Sequence, residues 1–263
     1  MSVLITALLC GAVVGVALGA LGGGGGVLAV PALVYLLGVE PAQAGTTSLV
    51  IVTATTVTAL FRHAGTGNVR WRTGALFAAA GVLPAIGTSV LAHRIPQSAL
   101  TVAFAALAAL AAAAMLRGTR SATRAPARAP AEDEGPAGSA RRGRLGTVAA
   151  GAGLGAVTGL LGVGGGFLAV PALVSVLRLP MRKAVGTSLV VILINSVVSL
   201  TTRLAVSGIS LDLAVFGPFV GAAVLGAWDG RRLASKLSGA ALQRAFAAVL
   251  LGVASFMLIG ALA

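Results

Sequence analysis

The stretch "LGALGGGGGVLAVPALV", residues 18–34, sets five consecutive glycines inside a hydrophobic segment and follows them with an apolar run that contains a proline. A second stretch, "VTGLLGVGGGFLAVPALV" at 157–174, repeats the interruption. Glycine costs about 1 kcal/mol relative to alanine in a helix interior. A chain that needed only to continue a helix would avoid both stretches.

Working outward, the surroundings are apolar almost everywhere. Of the 263 residues, 57% are hydrophobic and 10% charged, with a mean hydropathy of +1.01. A soluble domain of this length needs more polar surface than that. Uncharged or nearly uncharged runs cover 3–21, 44–61, 73–92, 98–116, 145–161, 184–202, 213–228 and 240–262. Each is close to the ~20 residues that cross a hydrocarbon layer of ~30 Å as a helix. They do not alternate polar and apolar residues, which excludes the strands of a membrane barrel. The composition therefore predicts an all-α integral membrane protein.

The formal charge of +13 does not point to nucleic acid, because the arginines lie between hydrophobic runs and form no basic face. Met1-Ser2-Val3 leads straight into the first run without a basic region, unlike a cleaved signal. The "LLCG" at 8–11 lacks the basic start of a lipoprotein leader and carries the bulky Leu9, so Cys10, the single cysteine, reads as a small packing residue. No disulfide, thiolate metal cluster or cofactor is expected.

Placing residue n against n+140 aligns 11–50 with 151–190 without a gap, at 22 identities in 40 positions. "AFAA" recurs at 103–106 and 245–248. The chain thus reads as two copies of one unit, 1–116 and 145–263. Between them "RGTRSATRAPARAPAEDEGPAGSARRGR" (117–144) has no apolar period and reads as a disordered linker.

Charge relates the copies. If the short run after each glycine cluster, 27–38 or 167–177, counts as a crossing, each copy has five segments and the second is inverted. One side then receives loops 62–72, 117–144, 178–183 and 229–239, with 16 of the 19 Lys and Arg, against two on the other side. If the short run enters and leaves on one face, the copies are parallel and the split falls to 11 against 7. Cytoplasmic loops collect Lys and Arg, so the sequence predicts two inverted repeats of about five segments, a cytoplasmic linker and both termini outside.

About 12 residues rise only ~18 Å as a helix, and Pro31 and Pro171 would shorten or kink the two short runs. The glycines before them are then broken backbone at membrane depth, tolerated only against protein or a water-filled cavity. Free N–H groups at the start of each half-helix carry the positive end of its dipole. Two such ends near the midplane are the architecture of secondary transporters, and they suit an anion. This makes Gly24, Gly25, Gly26, Gly164, Gly165 and Gly166 candidate binding residues. Neither cluster is followed by the Gly-Lys-Ser/Thr of a phosphate-binding loop. By contrast Gly11, Gly15 and Gly19, repeated as Gly151, Gly155 and Gly159, have the four-residue spacing of close helix packing.

The next segment of each copy carries polar groups at matching offsets: Thr47, Ser48 and Thr55 against Thr187, Ser188 and Asn195. Ser48 to Thr55 and Ser188 to Asn195 are i, i+7 pairs on one helix face. Such groups hydrogen-bond oxyanions without a charge; Ser and Thr also bond back to their own helix. Arg244 is expected to snorkel rather than to bind substrate, and Arg62 and Arg203 to orient loops or steer anions. His63 and His93 sit at loop edges, too few for a metal, and Trp71 and Trp228 suit interface anchors. No Asp or Glu lies deep in a run, so no carboxylate proton relay is visible.

A glycine cluster, then "LAVPAL", then "AxxTSL" or "AVGTSL" about ten residues on, in two halves, resembles the sulfite exporter TauE/SafE family. The residues are Gly22–Leu33 with Ala44, Thr47, Ser48 and Leu49, and Gly162–Leu173 with Ala184–Leu189. The resemblance implies an inner-membrane permease for sulfur-containing anions such as sulfite, thiosulfate or organosulfonates. The copies depart from one another at Gly45-Thr46 against Val185-Gly186, and Val163 replaces a glycine. Carrier and passive anion channel are the two functions to separate, and nothing resembles a catalytic pair. The partners expected are a small anionic substrate and membrane lipid, with a homo-oligomer left open.

Overall fold

The computed structural model describes residues 2–22, 28–29, 32–33, 37, 41–65, 67–92, 97–122, 146–157, 166–207 and 213–262. They are helical almost throughout, with no strand among them. The helices are α1 (Ser2–Leu21), α2 (Pro41–Ala64), α3 (Trp71–Ala92), α4 (Gln97–Ala122), α5 (Gly146–Val157), α6 (Gly166–Ser175), α7 (Met181–Ser207), α8 (Leu213–Lys236) and α9 (Gly239–Leu262). A helix satisfies its backbone within one segment, which an apolar chain in hydrocarbon requires. Met181–Thr201 and Gly239–Phe256 meet the length and composition of a membrane span most clearly. Large apolar side chains stand exposed on the outer faces, including Leu83 at 79% and Phe61 at 77%. Water would not tolerate that surface on so apolar a chain.

Each long uncharged run is helical over its described residues, and the differences lie at the ends. Helix α8 runs on to Lys236, through most of the loop expected at 229–239, and α4 runs to Ala122, past the expected boundary at 116. Charge defines where a span leaves the hydrocarbon, whereas Ala, Arg, Leu and Lys all favour helix beyond that point. The rest of the expected linker, 123–144, lies outside the described residues, as does His93. The short run after the second glycine cluster is α6, ten residues with Pro171 inside. It ends in a turn where Leu179 N–H bonds the Leu173 carbonyl at 3.0 Å and Arg178 takes a left-handed φ of 51°. Ser238 caps α9, its hydroxyl accepting from Ala241 N–H at 3.1 Å.

Two seams of small residues join the sequence halves. Gly11, Gly15 and Gly19 of α1 face Phe219, Ala223 and Ala227 of α8, and a Cβ on any of the three would collide with the facing carbonyl oxygen. Residue numbers rise together along both helices, so α1 and α8 run parallel. Gly226 and Gly230 return the contact against Ala12, Val16 and Ala20. In the second seam Gly151 and Gly155 of α5 meet the carbonyls of Phe77 and Gly81 in α3, and the Thr88 hydroxyl donates to the Ala156 carbonyl at 2.8 Å. The packing role expected of Gly11, Gly15, Gly19, Gly151 and Gly155 is thus what the structure displays; Gly159 lies outside the described residues. Where lipid is as apolar as leucine, backbone approach and dispersion drive such contacts.

A third interface packs α4 on α9 through Phe104, Ala108, Ala112 and Met115 against Leu242, Phe246 and Leu250. Gln243, near the start of α9, donates to the Met115 carbonyl near the end of α4 at 2.6 Å, so these helices run antiparallel. Between the seams lie α2 and α7, sharing a core of Val52, Ala59 and Leu60 with Leu189, Val190 and Ile192. Residues 68–70, just beyond the end of α2, touch Gly186 and Thr187 near the start of α7. Helices α2 and α7 are therefore antiparallel too.

Candidate functional site

Polar groups are scarce inside this protein, and they are not scattered. Nine polar residues are buried among the described residues, and eight of them sit on two helices: Thr47, Ser48, Thr55, Thr56 and His63 on α2, and Thr187, Ser188 and Ser196 on α7. Asn195, also on α7, is half-buried and makes no hydrogen bond to a described residue. Five of the six groups of the stripe read from the sequence, Thr47, Ser48, Thr55, Thr187 and Ser188, are therefore buried on two helices that share a core.

The second-copy end of that pair meets the first glycine run. The Ser188 hydroxyl lies 2.8 Å from the Val185 carbonyl and 3.3 Å from the carbonyl of Gly22, the residue that follows α1. Gly22 has a φ of +76°, and a Cβ there would come within 2.8 Å of both Ser188 Oγ and the Val185 carbonyl oxygen. Only glycine meets both the left-handed backbone and the close approach. Next to it, Thr187 Oγ1 accepts from Arg70 N–H at 3.2 Å, which ties the α2–α3 connection to the start of α7.

The first copy is arranged otherwise. Thr47 Oγ1, at the position equivalent to Thr187, is buried without a hydrogen-bond partner, and so is Thr56 Oγ1. Each such hydroxyl costs about 1–3 kcal/mol against a paired one. Thr55 gives its proton to the Ile51 carbonyl of its own helix at 2.6 Å, the back-bonding open to any threonine in a helix. Ser48 is buried on the same face.

Gly24, Gly25, Gly26, Gly164 and Gly165 lie outside the described residues. Gly166 is the first residue of α6, at the N-terminus where the short run was expected to expose free N–H groups. The stripe read at i, i+7 passed over Thr56 and Ser196. They stand at the same 140-residue offset, one position beyond Thr55 and Asn195, and that offset was the signal available to find them.

The electrostatic setting is one-sided. Among the described residues Asp229 is the sole acid, and it is exposed and bound to Arg232 at 3.5 Å. Among the described residues neither α2 nor α7 carries a carboxylate. Arg244 is exposed, as snorkelling requires. His63, expected at a loop edge, is instead buried in the last turn of α2, its Nδ1 2.9 Å from the Ala59 carbonyl; the helix runs to Ala64 and carries it inward. Arg62 stacks on Trp228 of α8 with its guanidinium carbon 4.4 Å from the ring centroid. No group of three or more His, Cys, Asp or Glu able to hold a metal occurs among the described residues.

Comparison with known proteins finds a family and relatives. The family model for the sulfite exporter TauE/SafE matches residues 7–257. Two similar relatives, from Xylella fastidiosa strains 9a5c and Temecula1, are each named a probable membrane transporter protein. Each is 34% identical over 97% of this chain and 95% of its own length. No solved structure matches.

Proposed function

Because the chain belongs to the sulfite exporter TauE/SafE family and is a membrane transporter, we propose that it carries a sulfur-containing oxyanion, sulfite or an organosulfonate, across the cytoplasmic membrane as a multi-pass secondary transporter. On this reading residues 1–116 and 145–263 form two inverted repeats. The intervening linker is cytoplasmic, and lipid covers the exposed apolar faces of a monomer or homo-oligomer. The run of equivalent helices supports the inversion. In copies entering the membrane from the same side, α2 would run parallel to α7 and α4 parallel to α9; both pairs are antiparallel. The family name speaks of export, and the reading assigns the chain no catalytic step.

The observation that carries the proposal is the meeting of Gly22 with Ser188. The glycine run of one copy begins against the hydroxyl-bearing helix of the other, so the substrate site is built between copies, where alternating access needs it. The described residues of α2 and α7 include no carboxylate to repel the anion. Hydroxyls of Thr47, Ser48, Thr55, Thr187 and Ser188 and the amide of Asn195 offer neutral donors, and the N–H groups at Gly164–Gly166 and Gly24–Gly26 offer the positive ends of half-helices. Neutral donors hold an oxyanion without the desolvation cost of a buried cation, which suits a ligand that must also leave.

Uptake into proteoliposomes across a panel of sulfite, thiosulfate and organosulfonates, with and without a pH gradient, tests the proposal. A member of the panel should be taken up, and preloading with the unlabelled anion should accelerate entry of labelled anion. Flux without that acceleration would mark a channel, and no flux for any member would overturn the substrate class.

A further inference from the structure

Arg62 carries more than the orientation of a loop explains. It occupies the last turn of α2, half-buried, with one face of its guanidinium on Trp228. Its Nε is fully buried and has no hydrogen-bond partner. A charged N–H without an acceptor is among the costliest groups a protein can bury. No described acid compensates it: Asp229, the one acidic residue described and Trp228's neighbour in sequence, is taken by Arg232.

We infer that Arg62 and Trp228 form a capture site for an oxyanion where the last turn of α2 meets α8, distinct from the hydroxyl stripe and on the side that the loop charges make cytoplasmic. The inference rests on the transporter reading above for the identity of its cargo. The guanidinium presents two N–H groups along its Nε edge in a fork that matches two oxygens of a sulfonate, sulfite or phosphate. Stacking on the indole fixes the plane of that fork while leaving its edge free. Because Nε itself is buried, an anion that takes it must part α2 from α8 rather than rest on the outer surface. Thr55 and Ser48 lie two and four turns further along α2, so an anion held at Arg62 stands at the head of the stripe. The same fork would take the phosphate of an anionic lipid, and the test separates the two sources.

Trp71 and Trp228 are the only tryptophans in the chain, so a Trp71→Phe protein reports on Trp228 alone. Its emission should respond saturably to methanesulfonate and to sulfite in vesicles of phosphatidylcholine, at constant ionic strength, and the response should vanish with Arg62→Gln. Arg62→Lys keeps the charge and loses the fork, and should weaken the titration about tenfold while the protein remains folded. In transport, Arg62→Lys should raise KM about tenfold with little change in maximal rate. A titration unchanged by Arg62→Gln would overturn the site. A response that occurs only when phosphatidylglycerol is added, without methanesulfonate or sulfite, would assign the fork to lipid and overturn the cargo role. If the wild type transports no sulfur oxyanion while Trp228 still reports binding, the transport reading fails and the capture site stands.

Discussion

Helices α2 and α7 hold equivalent places in the two sequence copies and carry polar groups at the same offsets, yet they use them differently. On α7, Thr187 accepts from Arg70 N–H and Ser188 lies against the Gly22 carbonyl, so the stripe is bonded into the structure at one end. On α2, Thr47 and Thr56 are buried without partners, and Thr55 bonds only within its own helix. Repetition of sequence has not produced repetition of chemistry. On α7 two hydroxyls help fix the fold, and on α2 those of Thr47 and Thr56 are left without a partner. A carrier gains from that division, because a hydroxyl already engaged positions its neighbours and a free one can turn to a ligand.

The largest effect that would break this comparison lies at the glycines. Gly25→Val and Gly165→Val should abolish transport in protein that still inserts, because a side chain would block the approach of the anion to the half-helix N-termini. Transport at a normal rate in both would place the site elsewhere. Gly15→Ala and Gly155→Ala should act through stability instead, at about 1–3 kcal/mol each, since the added methyl forces apart α1 and α8 or α5 and α3. Thermal unfolding in detergent measures this, and an unchanged midpoint would contradict the seams.

Hydroxyl deletions sharpen the contrast between the helices. Thr187→Val removes the acceptor of Arg70 N–H and should destabilise by about 1 kcal/mol. Thr47→Val, at the equivalent position, removes an unpaired polar atom. It should leave stability the same or higher while raising the KM for the transported anion. Equal destabilisation by both would show that the copies use this position alike. The smallest expected effect is at Arg178, whose left-handed φ of 51° falls where the first copy has Gly38. Arg178→Gly should raise stability by about 0.5–1 kcal/mol, read as an upward shift of the unfolding midpoint.

The helical segments were legible because hydrocarbon leaves the backbone no alternative, and the packing glycines because their four-residue spacing has one geometric use. Helix ends were less legible. Charge marks where a run leaves the membrane, but Arg231, Arg232 and Lys236 continue α8 past that point, as helix propensity allows. The pairing of α1 with α8, and of α3 with α5, could not be read, because small residues announce that a helix packs closely but not against which partner. At the candidate site, position was readable and bonding was not. The 140-residue offset located Thr47 and Thr187 equally well, while only the fold decides that the α2–α3 connection reaches one of them. Thr56 and Ser196 escaped a search for one face, since the buried arc of α2 is wider than one i, i+7 row.

The central claim is that the transported anion is held by the polar groups along α2 and α7. It is tested most directly by the concentration dependence of sulfite or organosulfonate counterflow for wild type, Asn195→Ala and Thr47→Val in proteoliposomes, each at equal amounts of inserted protein. The account predicts a three- to tenfold rise in half-saturating concentration for each variant, about 0.5–1.5 kcal/mol per lost hydrogen bond, with the maximal exchange rate largely kept. Half-saturation unchanged in both variants, while the transporter remains folded and active, would contradict it.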